Sequence, residues 1–233
     1  MPTLLHYLPL LTTVLAVPFT WQLWRHWRRK PHALYLAWWT LGVFTYGLGT
    51  LVEGLTTLFG WHEALFKTWY IAGALLGGAP LAQGSVYLFL PRRTAHVLTG
   101  VLASVILVAA VCVLYAPIVP DRVETYRLSG QVLAWQWVRG FSPFINLYAF
   151  VFLVGGAAWS AWRYARHGAD IRMWGNVLIA LGALLPGIGG TATRLGHVEV
   201  LYLTELMGLV LIWVGYTRMT RDSTPSIHTL QAG

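Results

Sequence analysis

The sequence predicts an all-α polytopic membrane protein with seven transmembrane helices, an outside N-terminus, a cytoplasmic C-terminus and a 3+1+3 parallel repeat. Three observations predict it. Apolar residues make up 57% of the 233-residue chain and charged residues 10%, with a mean hydropathy of +0.59. That balance suits a chain whose solvent is lipid, not a soluble core of the same length. Apolar segments of bilayer-spanning length recur seven times, and eleven of the sixteen basic residues fall on one side of them.

The first segment, 4–22, has its charges after it, in RHWRRK, so it is expected to stay in the protein and not be cleaved as a signal peptide. The second, 32–52, runs into Glu53. The third, 65–90, follows His62 and Glu63, carries Lys67 near its start, and contains LLGGAPLAQGSVY. There Pro80 removes a helical N–H and Gly77 and Gly78 loosen the turn before it, so a kink is expected. The fourth, 96–117, reads LASVILVAAVCVLYA, with none of the alternation a β-barrel strand needs. It holds the lone cysteine, Cys112, which excludes an intrachain disulfide. The long connection 118–140, with Trp135 and Trp137, reads as an interfacial helix or lid. The fifth segment is 142–162. The sixth, 173–190, ends in LLPGIGGTAT, where Pro186 and Gly187 predict a loose outer end. The seventh, 199–217, carries Glu205, and residues 218–233 read as a short disordered cytoplasmic tail.

Orientation follows from Arg25, Arg28, Arg29, Lys30, Arg92, Arg93, Arg163, Arg166, Arg172, Arg218 and Arg221, which share one face. The net charge of +8 is therefore mostly a topology signal. It predicts contact with anionic lipid headgroups at the cytoplasmic face and gives no support to nucleic acid as a partner. An integral protein of a prokaryotic cytoplasmic membrane is expected.

An internal repeat organises residues 1–217. FTWQLWRHWRR, 19–29, matches AAWSAWRYARH, 157–167, at an offset of 138; LGVFTYGLG, 41–49, matches LGALLPGIG, 181–189, at 140; FGWHEALFKTW, 59–69, matches LGHVEVLYLTE, 195–205, at 136. Three ordered matches at nearly one offset predict repeat A at 1–90, a joining helix at 96–117 and repeat B at 142–217. An odd number of helices per repeat needs one extra crossing to restore orientation, which the joining helix supplies. In topology alone, this plan resembles the broad set of seven-helix proteins that includes microbial rhodopsins and small sugar-type and vitamin-type transporters. The rhodopsin likeness stops at topology, since the seventh segment has no lysine to form a retinal Schiff base; no cofactor is predicted.

A carboxylate well inside an apolar segment is costly unless it faces the bundle interior or takes up a proton. Glu205 is therefore the leading candidate. Repeat symmetry groups it with Glu53, Lys67, Trp69, Tyr70, Tyr46 and Arg194 around an outward-facing pocket between helices 2, 3, 6 and 7. An aromatic wall with a carboxylate suits an amphipathic ligand with one cationic or hydrogen-bonding group. Lys67 or Arg194 would supply the counter-charge, and Pro80, Pro186 and Gly187 would gate. His62, His197 and Glu199 are the candidates for a metal site.

The reading these features favour is a small seven-helix carrier of a small or amphipathic solute. A ligand-binding receptor or sensor fits the same pocket but would need a separate output partner, and an intramembrane metal-dependent enzyme acting on a lipid-like substrate is the third reading. No sequence motif of a common hydrolase or nucleotide-binding site occurs.

Overall fold

A computed structural model describes residues 4–125 and 127–222, apart from the Arg194 side chain. Among the described residues the chain is helical, with two isolated β-bridges and no strand. The helices are α1 (Leu8–Arg29), α2 (Leu34–Phe59), α3 (Glu63–Trp69), α4 (Ala79–Phe89), α5 (Arg92–Tyr115), α6 (Phe141–Ala149), α7 (Gly156–Arg166), α8 (Asp170–Arg194) and α9 (Val198–Arg221). A π-turn at Tyr70–Leu75 follows α3, and another at Phe150–Gly155 joins α6 to α7. The result is seven rods, the third being α3, its π-turn and α4, and the fifth being α6 to α7. Each predicted segment falls on one rod.

Six rods are long and apolar enough to cross a membrane among the described residues. The exception is α2, and its composition explains why. Eight of its twelve buried positions are Gly or Thr, residues of low hydropathy that let neighbouring backbones approach. A helix face packed on other helices needs less apolar surface than one facing lipid. The outer face of α2 still exposes Leu41, Phe44, Leu58 and Phe59, and α5, with four buried residues, exposes Val97, Val101, Leu107 and Val108.

Where rods turn, the sequence supplies the geometry. Gly60, Gly168 and Gly196 adopt positive φ after α2, α7 and α8, a conformation that strains residues with a Cβ. The third rod breaks between Leu75 and Ala79, and Pro80 opens α4 in its first turn, where a missing N–H costs nothing. The expected kink at Pro80 is thus a full interruption. The sixth rod behaves differently, because α8 stays helical through Pro186 to Arg194. Pro186 leaves the Gly182 carbonyl without its helical donor. That oxygen faces bare Gly208 so closely that a Cβ there would meet it at 2.6 Å, a contact of the Cα–H to carbonyl kind.

This contact belongs to a heptad stripe. Gly175, Gly182 and Gly189 of α8 lie against Gly215, Gly208 and the Leu201–Thr204 turn of α9, in antiparallel order. On α2, Gly47 and Gly54 pack on Ala16 and Leu10 of α1, while Gly42 and Gly49 pack on Leu81 and Gly73 of the third rod. Small residues replace the hydrophobic driving force that lipid abolishes between helices. The rods close into a ring: first on second, second on third, third on fifth, fifth on sixth, sixth on seventh and seventh on first, with α5 packed outside on the third and fifth. Gln83, fully buried, ties α5 to this ring through its Nε2, which donates to the Ala95 carbonyl at 3.1 Å and Thr99 Oγ1 at 2.8 Å, and its Oε1, which accepts from Tyr148. The polar residue beyond the kink is thus an interhelical lock.

The 118–140 connection consists of short 3-10 turns at Pro120–Arg122, Gly130–Val132 and Gln136–Gly140, with β-bridges joining Ile118 to Leu133 and Glu124 to Arg127. Only its last turn is continuous with a rod. Residues 223–233, most of the predicted tail, lie outside the described residues.

Candidate functional site

Two acids meet inside the ring. Glu53 of α2 is 4% exposed, and its Oε1 accepts a 2.7 Å hydrogen bond from the Trp69 indole. Its carboxyl group lies within hydrogen-bonding reach of the Glu205 carboxyl on α9. On each acid, Oε2 is buried and, among the described residues, receives no N–H or O–H donor. Carboxylate oxygens only accept, so two that face each other in a dry site need a proton between them.

Helical spacing and missing side chains position the pair. Tyr46, Gly49 and Glu53 share a face of α2 at intervals of three and four. Gly49 approaches Gly73 so closely that a Cβ on Gly49 would lie 3.1 Å from the Gly73 Cα. Trp69 is four residues before Gly73, so that bare crossing brings its indole within reach of Glu53. The adjoining π-turn shifts the rest of the third rod out of the α-helical register set by Trp69. From α2, the Tyr46 hydroxyl also reaches the Glu205 backbone carbonyl at 3.0 Å, fixing α9 against α2.

Above the acids lies Tyr202, one turn earlier on α9 and buried, its ring edge-on to His6 at 5.7 Å between centroids. Tyr202 is within electrostatic reach of both carboxyl groups and of Arg127. Arg127 arrives from the 118–140 connection, donating to the Thr193 carbonyl at 2.8 Å and pairing with Glu124 at 3.1 Å, while its buried Nε has no partner among the described residues.

Of the residues singled out from sequence, Glu205, Glu53, Trp69 and Tyr46 come together. Tyr70 turns instead toward Ser142 and Gly130, at the contact of the third rod with the fifth and the long connection. Lys67 pairs with Glu63 at 2.6 Å and donates to the Leu114 carbonyl at 2.8 Å. Its counter-charge is Glu63, one turn away on the same helix, and not the buried acids. The Arg194 side chain lies outside the described residues. Pro80 begins α4, Pro186 is inside α8, and Gly187 is exposed with open space where a Cβ would be. His62 caps α3 by accepting from the Ala64 N–H at 3.2 Å. His197 is exposed before α9, and Glu199 occupies that helix's first turn. Among the described residues no three His, Cys, Asp or Glu side chains gather as a metal site.

Tyr202, Arg127 and His6 were not singled out from sequence. Tyr202 was accessible to reasoning, being three residues from Glu205 on one helix face; Arg127 and His6 depend on the paths of loop and terminus, which periodicity does not encode. The chain matches no protein-family model, no curated protein and no solved structure.

The chemistry available is that of a buried acid pair with an indole and two phenols around it. Such a pair can hold a proton, or exchange it for the cationic end of a solute against an aromatic wall.

Proposed function

We propose that this protein is a small membrane carrier of a small or amphipathic solute, whose Glu53–Glu205 pair loads a proton or the cationic group of that solute. One observation carries this reading: two carboxyl groups whose Oε2 atoms are buried lie within hydrogen-bonding reach of each other, and among the described residues no basic side chain is hydrogen-bonded to either. A purely structural lock would satisfy its Oε2 atoms with donors. Unsatisfied acids that share a proton gain a partner when a cation arrives.

The same reading takes the chain as two parallel repeats, with the N-terminus outside in a prokaryotic cytoplasmic membrane. Two features support the repeat. In the ring, the order first, second, third, fifth, sixth, seventh is unchanged when repeat A is exchanged for repeat B. Trp21 and Trp24 make a ring pair 4.8 Å apart at 33°, and their counterparts Trp159 and Trp162 make one 4.8 Å apart at 32°. Glu53 then belongs to repeat A and Glu205 to repeat B, so the proton joins the halves. Alternating access moves one repeat against the other. Deprotonation, or cation binding in place of the proton, would weaken that joint and open a path between helices 2, 3, 6 and 7, with the broken third rod as the moving element.

The test uses vesicles containing the purified protein and a trapped pH dye. Quaternary ammonium ions such as tetraethylammonium, which carry no proton of their own, should drive a change in internal pH in wild type and none in Glu53→Gln/Glu205→Gln. Proton movement equal in wild type, the double variant and empty vesicles would overturn the reading.

A further inference from the structure

The basic end of the bundle holds a second recurring arrangement, independent of the carrier reading. Trp159, Trp162, Arg163 and Arg166 follow one another at intervals of three, one and three, which places them in one stripe along α7. Both indoles are about half exposed, at 55% and 48%. Arg166 stacks over the Trp162 ring, its Cζ 5.0 Å from the ring centre. With His167 these side chains line a hollow of about 330 Å³. At the matching end of α1 the stripe is Trp21, Trp24, Arg25 and Arg28, with the Arg28 Cζ 5.4 Å from the Trp24 ring.

Among the described residues no carboxylate pairs with Arg25, Arg28, Arg163 or Arg166. The Arg28 and Arg166 guanidinium groups are held by rings, which leaves their hydrogen-bonding edges free, and a guanidinium fork matches phosphate oxygens two at a time. Beneath each fork lies exposed apolar ring surface at the end of a membrane helix, where a free anion has nothing to contact but a lipid has its glycerol and upper acyl chains. Helix capping explains a basic residue in a last turn. It does not explain why a close ring pair with an arginine stacked on its second ring recurs on both helices.

We propose that these stripes on α1 and α7 are twin seats for the phosphate headgroup of an anionic phospholipid. Each takes one lipid, the arginines binding its phosphate and the indoles packing along its glycerol end.

Native mass spectrometry of the full-length protein, equilibrated with phosphatidylglycerol or phosphatidylcholine in mixed micelles, tests this. Wild type should retain up to two phosphatidylglycerol molecules, with about tenfold or greater preference over phosphatidylcholine given two arginines per seat. Arg163→Gln/Arg166→Gln should remove one, Arg25→Gln/Arg28→Gln the other, and the fourfold variant both, with melting unchanged because these arginines bridge no helices. Inorganic phosphate at matched concentration should displace neither lipid. Equal retention of the two lipids by wild type, which requires no variant to fold, would overturn the proposal. So would full retention by the fourfold variant, or displacement by inorganic phosphate, which would indicate a free-anion site.

Discussion

Replacing the paired acids by Gln and by Leu separates a proton-loading site from a structural lock. In Glu53→Gln the amide oxygen still accepts from the Trp69 indole, now bonded at 2.7 Å, and the new N–H₂ donates to Glu205. The variant mimics the protonated state, so its stability should lie within about 1 kcal/mol of wild type. Glu53→Leu removes that acceptor. It strands a buried indole N–H and leaves Glu205 alone, a loss of about 1–3 kcal/mol for the indole alone. For a chain of this size that lowers the melting temperature by roughly 2–12 °C, at about 2–4 °C per kcal/mol. Glu205→Gln should be tolerated likewise, whereas Glu205→Leu keeps the Trp69–Glu53 bond and should cost less than Glu53→Leu; the double Gln variant should show coupling instead of additivity, because the two carboxyl groups lie within hydrogen-bonding reach. Infrared difference spectroscopy supplies the second readout. A protonated carboxylic acid has its own C=O band, which should be present in wild type at neutral pH and vanish from Glu53→Gln/Glu205→Gln. Thermal melting of the same samples across pH should lose whatever dependence this proton contributes. Absence of the band from wild type would refute the shared proton. A Gln variant as unstable as its Leu counterpart would refute the hydrogen-bonding account.

Two further predictions test topology and packing. With Cys112 replaced by Ser, a cysteine placed within 118–140 should react with an impermeant maleimide added outside, and one placed after Arg221 should not; the reverse pattern would invert the orientation. Gly182→Ala should cost about 1–3 kcal/mol by overpacking, since its Cβ would meet the rigid Gly208 carbonyl oxygen at 2.6 Å. Gly187→Ala, five residues on with open space around it, should be neutral or stabilising by about 0.5–1 kcal/mol, and equal effects in thermal melting would refute the stripe.

The seven helical segments were legible because a bilayer-length apolar run is a strong local signal, and all seven lie on rods. What sequence misjudged were local consequences of proline. Pro80 looks like a kink in a continuous helix and instead starts a new one, because Gly77 and Gly78 let the chain break before it. Pro186 looks like a loosened end, but α8 runs eight residues past it, with the orphaned Gly182 carbonyl packed on Gly208. A proline's effect depends on whether a neighbouring helix can accept the carbonyl it frees, and that neighbour lies about twenty-six residues away in sequence.

The acids show the same limit from the other side. Glu205 was conspicuous because an acid in an apolar run demands an explanation, and that logic predicted a basic partner in Lys67 or Arg194. Lys67 finds Glu63 one turn away instead, since an i,i+4 pair forms without any long-range approach; the Arg194 side chain lies outside the described residues. The group that reaches Glu205 is Glu53, a like charge. Sequence reasoning pairs opposites, whereas a site that must release its occupant works better with two acceptors contending for one proton. A lysine buried against Glu205 would hold the pair neutral and shut, and a solute cation would have to displace a permanent ion pair. A shared proton can depart and leave a binding site behind it. Among the described residues no base reaches the pair, and on the carrier reading proposed above that is what suits it to exchange.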